Sequence, residues 1–223
     1  TPDRFHQVEE DFKAGRVSAK NLSNKQKAVF LDRDGTINKY VGFLRNINDL
    51  ELIDGVAEAI KKINASGYLA IVVTNQPVIA RGEVTFQELE EIHNKMETEL
   101  GLQGAYLDAI YYCPHHPVHG IGAYKKVCNC RKPGTGMFEM AEKDFPVDRA
   151  ASYMIGDKRI DAQAGKNFGV TGVLVGTGYG AKEHAEDRAA GLIKEDGSCP
   201  AGGYDAYAET LLDAVRGILG GRI

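Results

Sequence analysis

The sequence lacks several features that would assign a protein to a class at once. No apolar run approaches the ~18 residues needed to span a bilayer. No charged-then-apolar leader opens the chain, so a cytoplasmic protein is expected. The net charge of −4 gives no reason to expect nucleic acid or a membrane as partner. Of the 223 residues, 43% are hydrophobic, which suits one ordinary globular domain with a core.

Cysteine is also scarce, with four in the chain, and three of them lie near histidines. Such a cluster indicates a metal site in a reducing compartment rather than disulfides. Three thiolates and one imidazole make a closed, tetrahedral zinc site. The residues alone do not separate His115, His116 and His119 as the fourth ligand. Reduced cysteines without metal are the alternative, and Cys199, far along the chain, is expected to be an ordinary thiol.

What the sequence does contain is an alternation of short apolar runs with amphipathic stretches. The predicted strands are 27–31, 68–73, 107–112, 151–155 and 170–175. The predicted helices are 54–66, with Asp54 as N-cap, then 85–100, 135–145, 161–168 and 204–219. The Gly-rich segment 176–203 is predicted to be a surface loop. This alternation predicts a doubly wound parallel α/β sheet.

Acidic and polar residues follow three of the predicted strands. The first strand ends in Asp32-Arg-Asp34, the second in Thr74-Asn75-Gln76, and the fourth in Gly156-Asp157 with Asp161 just beyond. In a parallel α/β sheet, ligands bind outside the carboxyl ends of the strands. Each motif alone is typical of a turn, and the spacing of an EF-hand loop fails because Gly35 falls at the fourth position. Together they predict a site.

The chemistry these residues suit is phosphoryl transfer to a carboxylate. Magnesium held by Asp32 and Asp157 would screen an anionic substrate. The other oxygen of Asp32 would then attack phosphorus, and Asp34 would serve as general acid and base. Thr74, Asn75 and a lysine would donate to the phosphate oxygens, where charge is spread in the transition state.

Four motifs in order resemble those of the haloacid dehalogenase superfamily of phosphatases. They are residues 32–38, 74–76, 131–133 and 156–158, and the likeness is to the histidinol-phosphate and heptose-bisphosphate phosphatase branch. The resemblance covers roughly residues 27–178 and implies a haloacid dehalogenase-like Rossmannoid fold. It also implies no large cap domain, and only nineteen residues separate Asp34 from Asp54.

The resemblance implies a role for individual residues. The implied catalytic residues are Asp32, Asp34, Thr74 and Lys132, with Mg²⁺ on Asp32, the Asp34 backbone carbonyl and Asp157. The implied ligands of a structural Zn²⁺ are Cys113, His115, Cys128 and Cys130. The predicted substrate contacts are Tyr40, Val41, Gly42, Phe43, Asn75, Gln76, Arg131 and Lys158. Pro77 and Val78 depart from the Ser-Gly of the family: Pro77 removes a backbone donor from this loop, and Val78 removes the conformational freedom of glycine.

The first residues of the chain carry a second resemblance. The run 1–7 is similar to the tail of sugar-phosphate nucleotidyltransferase domains, although it also fits an ordinary helix start. The likeness implies that 1–26 is the tail of a preceding domain and that 27–223 is a phosphatase domain with a zinc loop at 113–133. Such a fusion favours a phosphatase that acts on a sugar bisphosphate.

The expected reaction is therefore removal of the 7-phosphate of D-glycero-D-manno-heptose 1,7-bisphosphate, a small phosphorylated sugar. Its sugar 1-phosphate product would suit a fused nucleotidyltransferase. Histidinol phosphate is the alternative substrate. A catalytically degenerate phosphosugar-binding module is the alternative of another class, and the presence of Asp32, Asp34, Lys132 and Asp157 together argues against it.

Overall fold

A computed structural model of the chain describes residues 2–13, 15 and 21–223. Its centre is one sheet of six parallel strands in the order β3-β2-β1-β4-β5-β6. The strands are β1 Ala28–Leu31, β2 Leu69–Asn75, β3 Ala109–Cys113, β4 Tyr153–Gly156, β5 Thr171–Val175 and β6 Ala206–Ala208. The predicted doubly wound sheet is confirmed.

Eight α-helices accompany the strands in the described part of the chain. They are α1 Pro2–Lys13, α2 Val56–Ala65, α3 Pro77–Ala80, α4 Phe86–Leu102, α5 Gly136–Asp144, α6 Arg159–Phe168, α7 Gly180–Ala189 and α8 Leu211–Leu219. None of the helices described is long and apolar enough to cross a membrane.

Helices cover both faces of the sheet because successive side chains of a buried strand point to opposite faces. Val29 and Leu31 of β1 belong to a core that includes residues of α2, α4 and α8. Ala28 and Phe30 belong to a second core, which includes residues of α5 and α6. Each fully buried aliphatic side chain stabilises the fold by about 1.5–3 kcal/mol, so the two cores fix the strands firmly.

The order of the strands places a crevice at the carboxyl ends of β1 and β4. The chain runs from β1 outward through β2 and β3, and it returns to the other side of β1 with β4. The connections that follow β1 and β4 therefore diverge, which is where α/β sheets of this type bind their ligands. Residues 32–55 between β1 and α2, all of which are described, form only short turns and a 3-10 helix at Ile47–Asp49. No cap domain is inserted there.

The structure corrects three local predictions. The segment 176–203 is not a loop throughout, because helix α7 occupies Gly180–Ala189. The predicted helix 204–219 is instead strand β6 followed by α8, which begins after Thr210, whose side chain accepts the backbone N–H of Asp213. Asp54 does not cap α2, since Gly55 holds the N-cap position in the left-handed region.

The amino-terminal prediction is tested only in part. The ordinary helix start that the sequence also fits corresponds to α1, Pro2–Lys13. The predicted tail 1–26 includes residues 16–20, which lie outside the described residues.

Candidate active site and metal centres

Four buried charged side chains lie together at the carboxyl ends of β1 and β4. Asp32 follows β1 directly, and its backbone N–H continues the ladder to Ile155 of β4 at 2.9 Å. Asp157 follows β4, and Asp161 lies in the first turn of α6. Lys132 reaches them from the loop after β3, and all four are at most 6% exposed. They lie at or beneath a cleft of about 320 Å³, of which Asp32, Lys132 and Asp161 are lining residues.

Lys132 joins two of the acids. Its ammonium Nζ lies 2.7 Å from Oδ1 of Asp32 and 2.7 Å from Oδ1 of Asp161. Burial lowers the pKa of Lys132, but the charges of Asp161 and Asp32 outweigh burial, so the net pKa is raised. The group therefore stays a cation beside the carboxylate predicted to attack phosphorus.

At Asp157, the charge of Lys158 and the backbone N–H of Tyr179 favour the ionised form but do not outweigh the opposing effects on the pKa. Burial, together with repulsion from Asp32 and Asp161, raises the pKa of Asp157 to about 8. Its Oδ2 accepts the backbone N–H of Tyr179 at 3.0 Å, whereas its Oδ1 is buried without a hydrogen-bond partner in the described structure. One side-chain oxygen from each of the three acids lies within 4.8 Å of the others. Three buried carboxylates with one cation and an unpartnered oxygen fit a hard divalent cation such as Mg²⁺.

Glycines allow the backbone to approach Asp157 closely. A Cβ at Gly35 would lie 2.4 Å from Oδ2 of Asp157, and a Cβ at Gly178 would lie 2.1 Å from the same oxygen. Both glycines also have positive φ angles, of 89° and 54°, which favour glycine. The loop after β1 and the turn after β5 therefore enclose one oxygen of Asp157 and leave the other free.

Asp34 is held in place by its neighbours. Its carboxylate accepts two hydrogen bonds from Nη2 of Arg33, at 2.8 and 2.9 Å, and one each from Asn38 at 3.1 Å and Gln76 at 3.0 Å. Burial raises the pKa of Asp34, but the charge of Arg33 and these hydrogen bonds outweigh burial, and the net pKa is lowered. In this arrangement Asp34 is ionised and ready to accept a proton.

Arg33 is a functional candidate that the sequence interpretation missed. It is fully buried, and besides Asp34 it contacts Nε2 of His93 at 3.2 Å. Burial and the charge of Arg33 lower the pKa of His93 to about 3, so the imidazole is neutral and accepts the arginine N–H. Nothing in the sequence separated this arginine from one exposed in a turn, because its partner His93 lies sixty residues away.

The predicted phosphate-binding residues at the end of β2 make contacts within the protein. Thr74 accepts a hydrogen bond from the side chain of Gln76 at 3.0 Å. Asn75 accepts the backbone N–H of Lys132 at 3.0 Å and donates to the backbone oxygen of Lys132 at 3.3 Å. Asn75 thus anchors the residue that carries the buried ammonium. The three residues line the cleft, as expected.

Most of the other predicted substrate contacts also line the cleft: Tyr40, Gly42, Phe43, Arg131 and Lys158. Val41 is the exception, because its side chain is 49% exposed and is not part of the lining.

The cysteines and histidine of the zinc loop, residues 113–133, lie together as the sequence predicted. The sulfur atoms of Cys113, Cys128 and Cys130 are 3.2–3.5 Å apart. Nδ1 of His115 lies 3.3 Å from Sγ of Cys130 and 3.7 Å from Sγ of Cys113. Ligands at ~2.0–2.3 Å from a tetrahedral zinc ion lie ~3.5–3.8 Å from one another. Most of the observed separations are slightly shorter than this, and three thiolates with one imidazole are a donor set that fits zinc.

The structure also distinguishes the neighbouring histidine. Nδ1 of His116 accepts the backbone N–H groups of Val118 and His119 at 3.1 and 2.9 Å, so this ring caps a turn of the loop. Only His115 joins the three cysteines in the cluster found among the described residues.

The chain is similar to known phosphatases in sequence and structure. A family model described as HAD-hydrolase-like matches residues 129–196. The D-glycero-beta-D-manno-heptose-1,7-bisphosphate 7-phosphatase of Haemophilus ducreyi is 46% identical over 74% of this chain and 91% of that protein. The enzyme of the same name from Escherichia coli strain K12 is 43% identical over 75% of this chain and 88% of that protein.

Solved structures agree. The D,D-heptose 1,7-bisphosphate phosphatase of B. bronchiseptica, complexed with magnesium and phosphate, has a TM-score of 0.73 and 31% identity, and the match covers 88% of this chain and 99% of that chain. The corresponding enzyme of Burkholderia thailandensis has a TM-score of 0.61 at 28% identity, over 87% and 99% of the two chains.

The fold and the acids at its crevice, with these matches, define a phosphomonoester hydrolase of the haloacid dehalogenase class. Within that class, the chain belongs to the family of D-glycero-beta-D-manno-heptose-1,7-bisphosphate 7-phosphatases, because it is 44–46% identical to members of that family over 89–91% of their length.

Proposed function

We propose that this chain removes the 7-phosphate of D-glycero-beta-D-manno-heptose 1,7-bisphosphate through an aspartyl-phosphate on Asp32. The observation that carries the chemistry is the position of Asp32 at the crevice beyond the carboxyl ends of β1 and β4. Its Oδ1 lies 2.7 Å from Nζ of Lys132, and the residue belongs to the acid cluster. The substrate and its beta anomer follow from the names of the relatives.

The first half of the reaction transfers the phosphoryl group. Lys132 engages Oδ1 of Asp32, which leaves the other carboxylate oxygen to attack phosphorus in line. The same ammonium, with Thr74 at the end of β2, supports the negative charge that spreads over the phosphate oxygens. The P–O bond to the sugar breaks, and the leaving oxygen takes a proton from Asp34.

The second half releases phosphate and restores the enzyme. Asp34 accepts a proton from water, which attacks the phosphorus of the acyl phosphate and frees Asp32. The lowered pKa of Asp34 keeps its carboxylate ionised, which is the form that can accept a proton. The acid role requires a proton on the same carboxyl, so the contacts with Arg33 and Gln76 must loosen when substrate binds.

The residues that would hold Mg²⁺ are Asp32, Asp157 and the backbone carbonyl of Asp34. Bound there, the ion supplies positive charge that lets an anionic nucleophile approach an anionic ester. Asp157 would contribute its Oδ1, which is buried without a hydrogen-bond partner in the described structure. Asp161, in contact with Lys132, positions the ammonium rather than the metal.

The rest of the predicted site gives the substrate preference. The walls of the cleft that would surround the sugar are formed by Tyr40, Gly42, Phe43, Asn75, Gln76 and Lys158. Arg131 would meet the second phosphate, because its guanidinium matches phosphate oxygens and it lies in the lining of the cleft. Histidinol phosphate has no second phosphate and would leave this arginine without its partner.

Zn²⁺ on Cys113, His115, Cys128 and Cys130 would be structural, since four protein ligands leave no open position. Arg131 and Lys132 follow the last ligand directly, so the ion would fix the two cations at the cleft. Three thiolate ligands require reduced cysteines, which agrees with the expected cytoplasmic location.

The amino-terminal segment 1–26 is proposed to be the tail of a nucleotidyltransferase domain, joined to the phosphatase domain 27–223. The support is the likeness of residues 1–7 to such tails. Purified full-length protein should then convert the heptose bisphosphate and a nucleoside triphosphate into a nucleotide-activated heptose. Formation of sugar 1-phosphate alone would remove the fusion from the proposal and leave the phosphatase intact.

The decisive test is phosphate release with Mg²⁺ from both anomers of D-glycero-D-manno-heptose 1,7-bisphosphate, beside histidinol phosphate. We expect fast release from the beta anomer and retention of the 1-phosphate. Preferred turnover of histidinol phosphate would overturn the substrate while keeping the mechanism. No turnover of any of the three, with both metals bound, would overturn the function.

A further inference from the structure

The turn after β5 and helix α7 contact three consecutive residues that follow β4. The backbone N–H of Tyr179 donates to Asp157. Oε2 of Glu183 accepts the backbone N–H of Arg159 at 2.6 Å, and Oδ2 of Asp187 accepts Nε of the same arginine at 2.9 Å. Lys158 lies between these two residues, and its own backbone N–H donates to Oδ2 of Asp161 at 3.1 Å, so its backbone is held in place.

The side chain of Lys158 is held by two aromatic rings. Its ammonium lies 4.8 Å from the ring centroid of Tyr40 and 4.9 Å from that of Tyr179. The two rings meet edge to face at 4.8 Å, and the hydroxyl of Tyr179 donates to that of Tyr40 at 3.3 Å. The two tyrosines and Lys158 form what we term the aromatic clamp.

An aromatic partner differs from a carboxylate partner because it leaves the charge of the ammonium available to a ligand. A ring attracts the ammonium through its quadrupole without neutralising the charge. In the described part of the chain, no carboxylate lies within ion-pair distance of Lys158, whereas Lys132 has two such partners. The clamp therefore orients a cation at the cleft wall and keeps its full charge for an anionic ligand.

The side chain of Tyr179 contributes little to the packing of the described fold. Its side chain is 39% exposed, so burial of its ring adds little to the core. Its backbone N–H contacts Asp157 whatever side chain the residue carries. The contacts of its side chain are with Tyr40 and Lys158.

We infer that Tyr179 is a positioning residue that sets substrate preference by fixing, with Tyr40, the ammonium of Lys158 at the cleft. The inference rests on the proposed function, in that it takes the ligand of Lys158 to be the phosphorylated sugar. Lysine has a long, flexible side chain, so an unrestrained ammonium would lose rotamer freedom each time substrate binds. The two rings restrict that side chain before substrate arrives, which lowers the entropy cost of binding.

The test is a double-mutant cycle between Tyr179→Leu and Lys158→Met, measured with the heptose bisphosphate and with p-nitrophenyl phosphate. Tyr179→Leu keeps the backbone N–H and removes the ring. We expect its KM for the bisphosphate to rise about tenfold, with a smaller change in kcat. Tyr179→Phe keeps the ring and should restore KM to within about threefold of the original. In the Lys158→Met background, Tyr179→Leu should add less than about twofold.

Tyr106→Leu is the matched control, because Tyr106 is 49% exposed and precedes β3 at the opposite edge of the sheet. Its kinetic constants should match those of the parent protein. Equal effects of Tyr179→Leu with and without Lys158 would overturn the inference, and so would a Tyr179→Phe protein as impaired as Tyr179→Leu.

The second substrate separates this inference from the proposed function. If the bisphosphate is not turned over, the same cycle is read from the inhibition constant of inorganic phosphate against p-nitrophenyl phosphate hydrolysis. Coupling between Tyr179 and Lys158 in that constant would support the clamp although the assigned substrate had failed. Additive effects there would overturn it.

Discussion

The acid cluster and the cysteine-histidine cluster are held in different ways. Asp32, Asp157 and Asp161 are fixed by strand ends, a helix start and the close backbone of two glycines. The zinc loop is anchored at Cys113, which is buried at the end of β3, and at Lys132, which contacts Asn75, but much of the chain between them is exposed. Within that loop, the four ligand atoms lie within 4.8 Å of one another and bring its two ends together.

The difference indicates which partner each region depends on. The fold holds the acid cluster together, and a bound cation would relieve the repulsion among its carboxylates. The zinc loop has no core of comparable size, so its ion would contribute directly to its folding. Loss of metal should therefore affect catalysis in the first region and structure in the second.

The largest expected effect is on turnover, at Asp32. Asp32→Asn should lower kcat by about 10⁴-fold or more, because the neutral amide cannot attack phosphorus. The fold and the zinc content should be unchanged, since the amide fits the same space. Phosphate release, thermal unfolding and bound zinc measure the three properties. Asp49→Asn, at an exposed aspartate, is the control, and an active, well-folded Asp32→Asn protein would refute the mechanism.

The zinc loop should respond in the opposite order. Cys128→Ser should remove zinc and lower the free energy of unfolding by about 3–5 kcal/mol, with activity lost because Arg131 and Lys132 lose their support. Metal analysis and urea unfolding provide the measurement. Cys199→Ser changes a buried cysteine outside the cluster and should keep its zinc. Retention of full stability by a zinc-free Cys128→Ser protein would contradict a structural role.

A smaller effect is expected at the glycine beside Asp157. Gly178→Ala would bring a Cβ to 2.1 Å from Oδ2 of Asp157 and should weaken Mg²⁺ binding about 10–100-fold by displacing that carboxylate. Gly191→Ala is matched, since Gly191 also has a positive φ but no atom within 4 Å of the added Cβ. Both changes carry the backbone cost of about 1 kcal/mol, so calorimetry should show a loss of affinity for Gly178→Ala alone.

The smallest effect is a pH dependence of stability without magnesium. The pKa of Asp157 is raised to about 8 in the folded protein, from an ordinary value of 3.8, so the folded state holds a proton that the unfolded state has lost. The contribution of Asp157 to the free energy of unfolding is full below about pH 4 and is lost as pH rises towards 8. Urea unfolding in magnesium-free buffer, with zinc left bound, should show that fall, and Asp157→Asn should lack it. Identical pH profiles for the two proteins would count against the shifted pKa.

Much of the fold and site could be predicted because the relevant signals are local. The strands β1 to β5 are short apolar runs. Asp32 and Asp157 directly follow β1 and β4, and Thr74 lies near the end of β2. Helix α7 was missed because its buried residues are Gly180, His184 and Asp187, which form no apolar stripe.

Other features depend on contacts between distant residues. Strand β6 has three residues and lies within a stretch whose apolar spacing also fits a helix. The buried pair of Arg33 and His93 and the contact of Tyr179 with Asp157 become visible only when the chain is folded. Sequence periodicity carries no information on such pairs.

The way the zinc loop is tied at both ends has a consequence for how such enzymes diversify. The loop leaves the sheet at Cys113 and returns at Lys132, which Asn75 holds at the end of the neighbouring strand. Residues between the two pairs of metal ligands can be lengthened, shortened or exchanged without moving the lysine at the reaction centre. Changes in this surface insert would therefore leave the chemistry at the reaction centre unchanged.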